Sequence, residues 1–343
     1  MDVQWQRLPW QDALWRQLHS GAARSHHALL LRGPAGIGKG RLARALVAAS
    51  LCQRPADDGS ACGLCDACSW LEAGNHPDFR RVSPAATLAD EAEAESDGEG
   101  AEGKASEKKA SQQITIEQIR GLAGFMSLTT HRGGARVLLV EPAEAMNLAA
   151  ANALLKTLEE PPPGTRFVLV SSQPRRLPAT VLSRCLPITL PLPAAAEACA
   201  WLTAQGVEDA AALLAQAAGR PLQALEAADP ARTLARRQFL AQLVRPDLDP
   251  YAIAEKANRD NVALWAEWLQ TWCHDLLRVR AGGAPRFHGE HQRDLSRLAQ
   301  LAHAGRLLDW ELRLRQARWE SRQPVNARLY CDALLIDYRA LFP

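Results

Sequence analysis

No run of 18 apolar residues occurs in this 343-residue chain, so no transmembrane helix is expected. The opening Met1-Asp2-Val3-Gln4-Trp5-Gln6-Arg7-Leu8-Pro9-Trp10 lacks the basic-then-apolar order of a secretory leader, and the expected location is the cytoplasm. A dominant charge is missing too. The net charge is +2, so bulk electrostatics do not announce a nucleic-acid binder. A reducing compartment gives disulfides no role, and the eight cysteines need another explanation. What the chain does have is apolar mass. At 47% hydrophobic residues it can fill sizeable cores, and its length suits two or three domains.

Two further absences carry chemistry. Gly33-Pro34-Ala35-Gly36-Ile37-Gly38-Lys39-Gly40 matches the phosphate-binding pattern G-x-x-x-x-G-K-[S/T] except at its last position. That Ser or Thr supplies a hydroxyl to Mg²⁺; Gly40 has no side chain. The apolar run Val137-Leu138-Leu139-Val140 should end in Asp-Glu, the pair that holds metal and activates water. It ends in Glu141-Pro142. Proline cannot orient or deprotonate anything. Backbone N–H groups of residues 36 to 39 at a helix start, together with Lys39, still favour an anion. The expectation is therefore weak or absent nucleotide binding at Gly33, Gly36, Gly38 and Lys39, and very slow hydrolysis.

Four cysteines form one unit: Cys52, Cys62, Cys65 and Cys68, spaced C-x9-C-x2-C-x2-C. Thiolates at this spacing chelate one ion from a tight turn, which Gly63 helps to bend. Four sulfurs satisfy tetrahedral Zn²⁺ and leave no open position, so a structural zinc is expected. An iron–sulfur cluster is the rival; its pattern wants a further cysteine soon after Cys68, where Glu72 stands. A zinc-type nucleic-acid binder would want basic and aromatic residues around the cysteines, and Leu64-Asp66-Ala67-Ser69-Trp70-Leu71-Glu72 is mainly acidic and apolar.

The element pattern reads as strand (26–32), glycine loop and helix (40–51), the context that makes the loop credible. The cysteine module and a short strand near 80–82 follow. Residues 84–113 hold eight acids between Asp90 and Glu107 against three lysines and almost no large apolar residue, which predicts a disordered acidic insertion. Order is expected to resume at Ile114–Arg120. A strand (136–140), a helix (147–160) stopped by Pro161-Pro162-Pro163, a strand (166–172), a short helix (177–183) and a last strand (186–190) come next. Alternating strands and helices imply an α/β parallel sheet over 1–190. Beyond Pro191 only helical patterns persist: a small segment (191–229), then 230–343. There Trp265, Trp268 and Trp272 recur at helical spacing, as a packing core would.

Taken together, several segments resemble the AAA+ clamp-loader subunits of bacteria. They are the altered loop with its cysteine module, Ala150-Ala151-Asn152-Ala153-Leu154-Leu155-Lys156-Thr157-Leu158-Glu159-Glu160-Pro161-Pro162, and Leu177-Pro178-Ala179-Thr180-Val181-Leu182-Ser183-Arg184-Cys185. The Trp5-x-x-Leu8-Pro9-Trp10 opening and Val325-Asn326-Ala327-Arg328-Leu329-Tyr330 add to the likeness. The resemblance covers nearly the whole chain apart from the acidic insertion. It implies an AAA+ domain, a helical lid (191–229) and a helical collar domain (230–343) that oligomerises. It implies that Arg184 enters the ATP site of a neighbouring subunit in trans, as an arginine finger; the plainer alternative is pairing with a nearby carboxylate. Ser171 or Ser172 would be the polar sensor. The lid departs from active relatives, with Leu222 three residues after Gly219 where they carry arginine, and Arg220 offset from it.

The implied function is that of a non-hydrolysing clamp-loader subunit, a component of the DNA polymerase III holoenzyme. Its partners would be the gamma/tau motor subunits and the delta subunit, acting on the sliding clamp and primer–template DNA in replication. The alternative is an active gamma/tau-like ATPase, against which Gly40 and Glu141-Pro142 argue.

Overall fold

The computed structural model describes residues 3–19, 22–87, 111–127, 130, 134–321 and 325–342. Most of the expected acidic insertion, residues 88–110, lies outside them. The chain divides into two compact units, Met1–Glu197 and Ala198–Pro343.

Unit 1 is built on five parallel strands: β1 (Ala28–Arg32), β2 (Phe79–Val82), β3 (Arg136–Val140), β4 (Thr165–Ser171) and β5 (Leu186–Thr189), in the order β2-β3-β4-β1-β5. Alternate side chains go to opposite faces. Leu29, Leu31, Val137, Leu139, Val168 and Val170 meet the helix Lys39–Leu51 on one side. Leu30, Leu138, Val140, Phe167 and Leu169 meet the helix Leu148–Glu159 on the other. Burial on both faces is why these strands read as unbroken apolar runs rather than alternating ones. The Asn147 side chain caps the second helix by accepting from Ala150 N at 2.8 Å. The expected strand at Ile114 is a single parallel bridge to Met146, followed by a helix over Ile116–Arg120. Helix 177–183 is shorter than read, spanning Ala179–Leu182, because Pro178 fixes its start.

Unit 2 is helical throughout its described residues. Ala198, Leu202, Val207, Ala210, Leu214, Ala217 and Ala224 form one small apolar cluster. A larger one gathers Trp265, Trp268, Trp272, Leu276, Trp310 and Tyr338, so the tryptophans are packing core. Trp272 Nε1 donates to Tyr338 Oη at 3.2 Å, and Tyr338 Oη donates to Leu243 O at 2.8 Å. This gives the polar tips partners inside the core.

Inside this unit Asp275 is wholly buried. Its carboxylate accepts from the backbone N–H groups of Arg286, Phe287 and His288, at 2.7, 2.9 and 2.9 Å, and faces His288 Nδ1 at 2.9 Å. Burial acts to raise Asp275, but the His288 and backbone donors outweigh it and hold the carboxyl below its usual range. Burial drives His288 below its ordinary 6.5, against the pull of Asp275. Both lowered values make the unfolded chain the better proton acceptor. Stability is therefore present above the unfolded pKa values and is lost as pH falls, first below about 6.5 through His288, then below about 4 through Asp275. The melting temperature of unit 2 should drop between pH 7.5 and 5.5. It should drop less in His288→Asn, which keeps a donor at the Nδ1 position without titrating. Equal slopes in thermal unfolding followed by circular dichroism would contradict this.

Candidate functional site

The strand order places the ends of β1, β3 and β4 side by side, and the candidate site lies at their C-terminal edge, where parallel sheets bind ligands. The loop after β1 holds Gly36 and Gly38 in left-handed conformations, with φ of 79° and 90°. Gly38 is constrained twice, since a Cβ there would also run into the Leu8 side chain. The Trp-x-x-Leu-Pro-Trp opening explains that contact. Trp10 Nε1 donates to Ile37 O at 3.0 Å and Gln11 Nε2 to Gly38 O at 2.9 Å, while Gln11 Oε1 accepts from Leu8 N at 2.9 Å. The N-terminal segment is thus strapped to the outside of the phosphate loop.

Lys39 is 5% exposed and donates from Nζ to Pro34 O at 2.6 Å. Burial drops its pKa to about 8, and the charges of Glu144 and Glu141 partly oppose the drop. Glu144 was not among the sequence-derived candidates. It follows Glu141 by three residues, and the turn Ala143–Ala145 brings it back to the sheet edge, where Oε1 accepts from Ser172 N at 2.9 Å. The i, i+3 acid pair was the available signal. Ser171 is fully buried and its Oγ accepts from Gln173 N at 3.2 Å.

Gly40 and Glu141, a hundred residues apart, meet here. A side chain at residue 40 would start on top of Glu141 Oε1. The same carboxylate takes Arg44 Nη1 at 3.2 Å and Arg81 Nη2 at 3.8 Å. Arg44 lies one helical turn beyond Gly40. The missing side chain and the longer acid are therefore one arrangement: the acid reaches into the space that glycine leaves, and protein cations balance it. Glu141 and Arg44 side chains are 18% and 22% exposed, so the pair is partly buried and contributes on the order of 1 kcal/mol.

Ser183, Arg184 and Cys185 form the turn between the helix Ala179–Leu182 and β5. Val181 and Cys185 on either side are buried; burial alone pushes the Cys185 thiol up to about 11. Arg184 projects outward. Its Nη2 meets Glu159 Oε1 at 2.5 Å, and its Nη1 donates to Thr180 O at 2.8 Å and Ser183 Oγ at 3.2 Å. Within the chain it is carboxylate-paired. In unit 2, Arg220 Nε donates to Ala217 O at 2.7 Å, and its Nη2 lies 3.8 Å from Glu267.

The cysteine module follows the phosphate-loop helix directly, since Cys52 is that helix's C-cap. The Sγ atoms of Cys52, Cys62, Cys65 and Cys68 all lie within 4.8 Å of one another. The Cys52–Cys65 and Cys65–Cys68 pairs are 3.9 and 3.5 Å apart. A tetrahedral ion with metal–sulfur bonds of about 2.3 Å needs sulfurs about 3.8 Å apart, so the donor set fits. Cys62 N–H points at Cys52 Sγ and Leu64 N–H at Cys62 Sγ, at 3.2 and 3.5 Å, as thiolates require. Burial raises Cys65, yet the backbone N–H groups of Gln53 and Cys68 and neighbouring thiols bring it down to about 6.

The Gly40–Glu141 contact is testable in unit 1. Gly40→Ser should cost about 1 kcal/mol more in the wild-type background than in Glu141→Ala, because only the former has a carboxylate to displace. Urea unfolding measures the difference, and simple additivity would contradict the contact.

A family model described as DNA polymerase III, delta subunit, matches residues 10–193, and a second, for the C-terminal part of that subunit, matches residues 230–339. The DNA polymerase III subunit delta' of Pseudomonas aeruginosa is 37% identical, with 97% of each chain covered. That of Escherichia coli is 34% identical over 77% of this chain and 73% of its own. Among solved structures, a DNA polymerase III gamma subunit-related protein of Thermotoga maritima superposes with a TM-score of 0.51 at 15% identity, covering 97% of this chain and 99% of that one; this likeness concerns the fold. With the altered phosphate loop, the cysteine cluster and the two-unit architecture on this scaffold, the chain belongs to the delta' family of DNA polymerase III clamp-loader subunits.

Proposed function

We propose that this chain is the non-hydrolysing subunit of a clamp-loader complex and completes the ATP site of the subunit beside it. The observation that carries the reading is the Gly40–Glu141–Arg44 contact. Phosphoryl transfer is accelerated almost entirely by placing metal, water and charge. Here the carboxylate expected to hold metal is engaged by two arginines, Pro142 takes the water-activating position, and Leu222 replaces the lid arginine. The loop at Gly33, Gly36, Gly38 and Lys39 then binds nucleotide weakly or not at all.

The residue that acts is Arg184, in trans. A guanidinium is always charged and forks toward phosphate oxygens, so at a neighbour's γ-phosphate it stabilises the charge that develops there. Its turn supports that role, being pinned by buried Val181 and Cys185 and otherwise open. Residues 191–229 would serve as the lid and 230–343 as the collar domain. The partners are the gamma/tau motor subunits and the delta subunit, and the assembly loads the sliding clamp on primer–template DNA. Zinc on Cys52, Cys62, Cys65 and Cys68 would tie the end of the phosphate-loop helix to the loop that follows.

In a complex reconstituted with motor and delta subunits, Arg184→Ala should lower turnover at the adjoining ATP site about 10³-fold or more while the complex stays assembled on a sizing column. Unchanged turnover would remove the finger. If the purified chain instead turned over ATP and lost this with Lys39→Ala, it would be an active gamma/tau-like subunit. The purified protein should also be colourless and carry one zinc per chain by elemental analysis. Cys65→Ser should lose that zinc and melt at lower temperature; a brown, iron-containing preparation would replace zinc with a cluster.

A further inference from the structure

The parked state of Arg184 is itself informative. Both terminal nitrogens of its guanidinium face its own chain, Nη1 on Thr180 O and Ser183 Oγ, Nη2 on Glu159 Oε1. Glu159 is the last residue of the helix Leu148–Glu159, and its neighbour Glu160 begins the break before three prolines. The carboxylate is therefore held at a helix end, on a different element from the turn that carries Arg184. A fork with both tines engaged cannot grip a phosphate. To reach a neighbour's triphosphate, Arg184 has to let go of Glu159. The two side chains are 34% and 48% exposed, which makes the pair weak and readily exchanged.

We propose that Glu159 is a positioning residue, a latch that holds Arg184 on its own subunit and releases it only when a neighbour's triphosphate outcompetes the carboxylate. The proposal rests on the finger reading of Arg184 and adds to it the residue that sets how tightly ATP must bind before the finger engages. Glu159 touches no reacting atom and its effect runs through Arg184. It therefore tunes apparent ATP affinity rather than the chemical step.

The test uses the reconstituted complex with its other ATP sites disabled, so that only the site beside this chain is read. Glu159→Gln keeps the shape and removes the charge. It should lower the KM for ATP about two- to fivefold, the range of an exposed ion pair, and leave kcat within twofold. Glu159→Asp, which retains the charge, should return KM toward wild type. In an Arg184→Ala background Glu159→Gln should change nothing. A KM that is unchanged or raised in Glu159→Gln, or an effect that persists without Arg184, overturns the latch. If Arg184→Ala lowers turnover while Glu159→Gln is silent, the latch fails and the finger stands. If Arg184→Ala is itself silent, the finger fails and takes the latch with it.

Discussion

A carboxylate at the end of a buried parallel strand needs a cation within reach, and the design of this site follows from which cation it has. Glu141 finds Arg44 and Arg81. Arg44 can serve because it sits one turn along the helix from Gly40, on the same face, and because residue 40 contributes no atoms to the space between. The three positions are mutually dependent. A hydroxyl at residue 40 would displace the acid, a shorter acid would miss the arginine, and loss of the arginine would leave a partly buried negative charge. The contact joins the end of β3 to the start of the phosphate-loop helix with protein groups alone. On the other side of the loop, Trp10 and Gln11 hold the Ile37 and Gly38 carbonyls, and Lys39 turns back onto Pro34. A motor site has to reorganise with its nucleotide. This one is bonded to itself from several directions, which suits the proposed role of a subunit that does not hydrolyse nucleotide itself.

Much of this was legible in the sequence, for identifiable reasons. The strands announced themselves because burial on both faces leaves no room for polar residues, and the helices between them because only one face meets the sheet. The four cysteines were legible because chelation demands local spacing; their sulfurs converge as the spacing implied. Loss of side-chain chemistry at Gly40 and Pro142 was equally plain. What replaced it was not. Arg44 is 97 residues from Glu141, and no local pattern ties them. The pairing exists only once the order β3-β4-β1 has laid the two strand ends near each other. Glu144 and the Leu8–Gln11 strap escaped for the same reason: each acts through a partner brought in by topology.

The second unit solves a different physical problem. Helices without a sheet have no common hydrogen-bonded frame, and here polar groups buried in the core supply points of registration. Tyr338 bridges Trp272 and the Leu243 carbonyl. Asp275 gathers the 286–288 backbone and the His288 ring. Such groups cost desolvation, and the hydrogen bonds they make offset that cost in one packing and not in its near neighbours. The sequence showed the tryptophan spacing but gave no sign that an aspartate in the middle of an apolar helix was a hub. An acid at a core position, with a glycine–proline loop soon after, is the pattern that betrays such a hub in retrospect.

Arg184 brings these themes together. A residue proposed to act on another molecule needs a rigid base and an exposed tip, and the chain supplies both within five residues. Val181 and Cys185 are sunk in the core beneath the sheet. The thiol of Cys185 is small enough to fit there, and burial leaves it protonated and inert. Between them the backbone turns outward once, and only at Arg184 does a long charged side chain leave the surface. The tip then meets Glu159, at the end of a helix that buries Ala150, Ala151, Leu154 and Leu158. That acid is weakly bound because water reaches both partners, and it is fixed in place because the helix that ends in it is packed against β4. A pair with those two properties is well defined when nothing else is present and easily broken when something better arrives, which is the behaviour that the role proposed for Arg184 in trans requires.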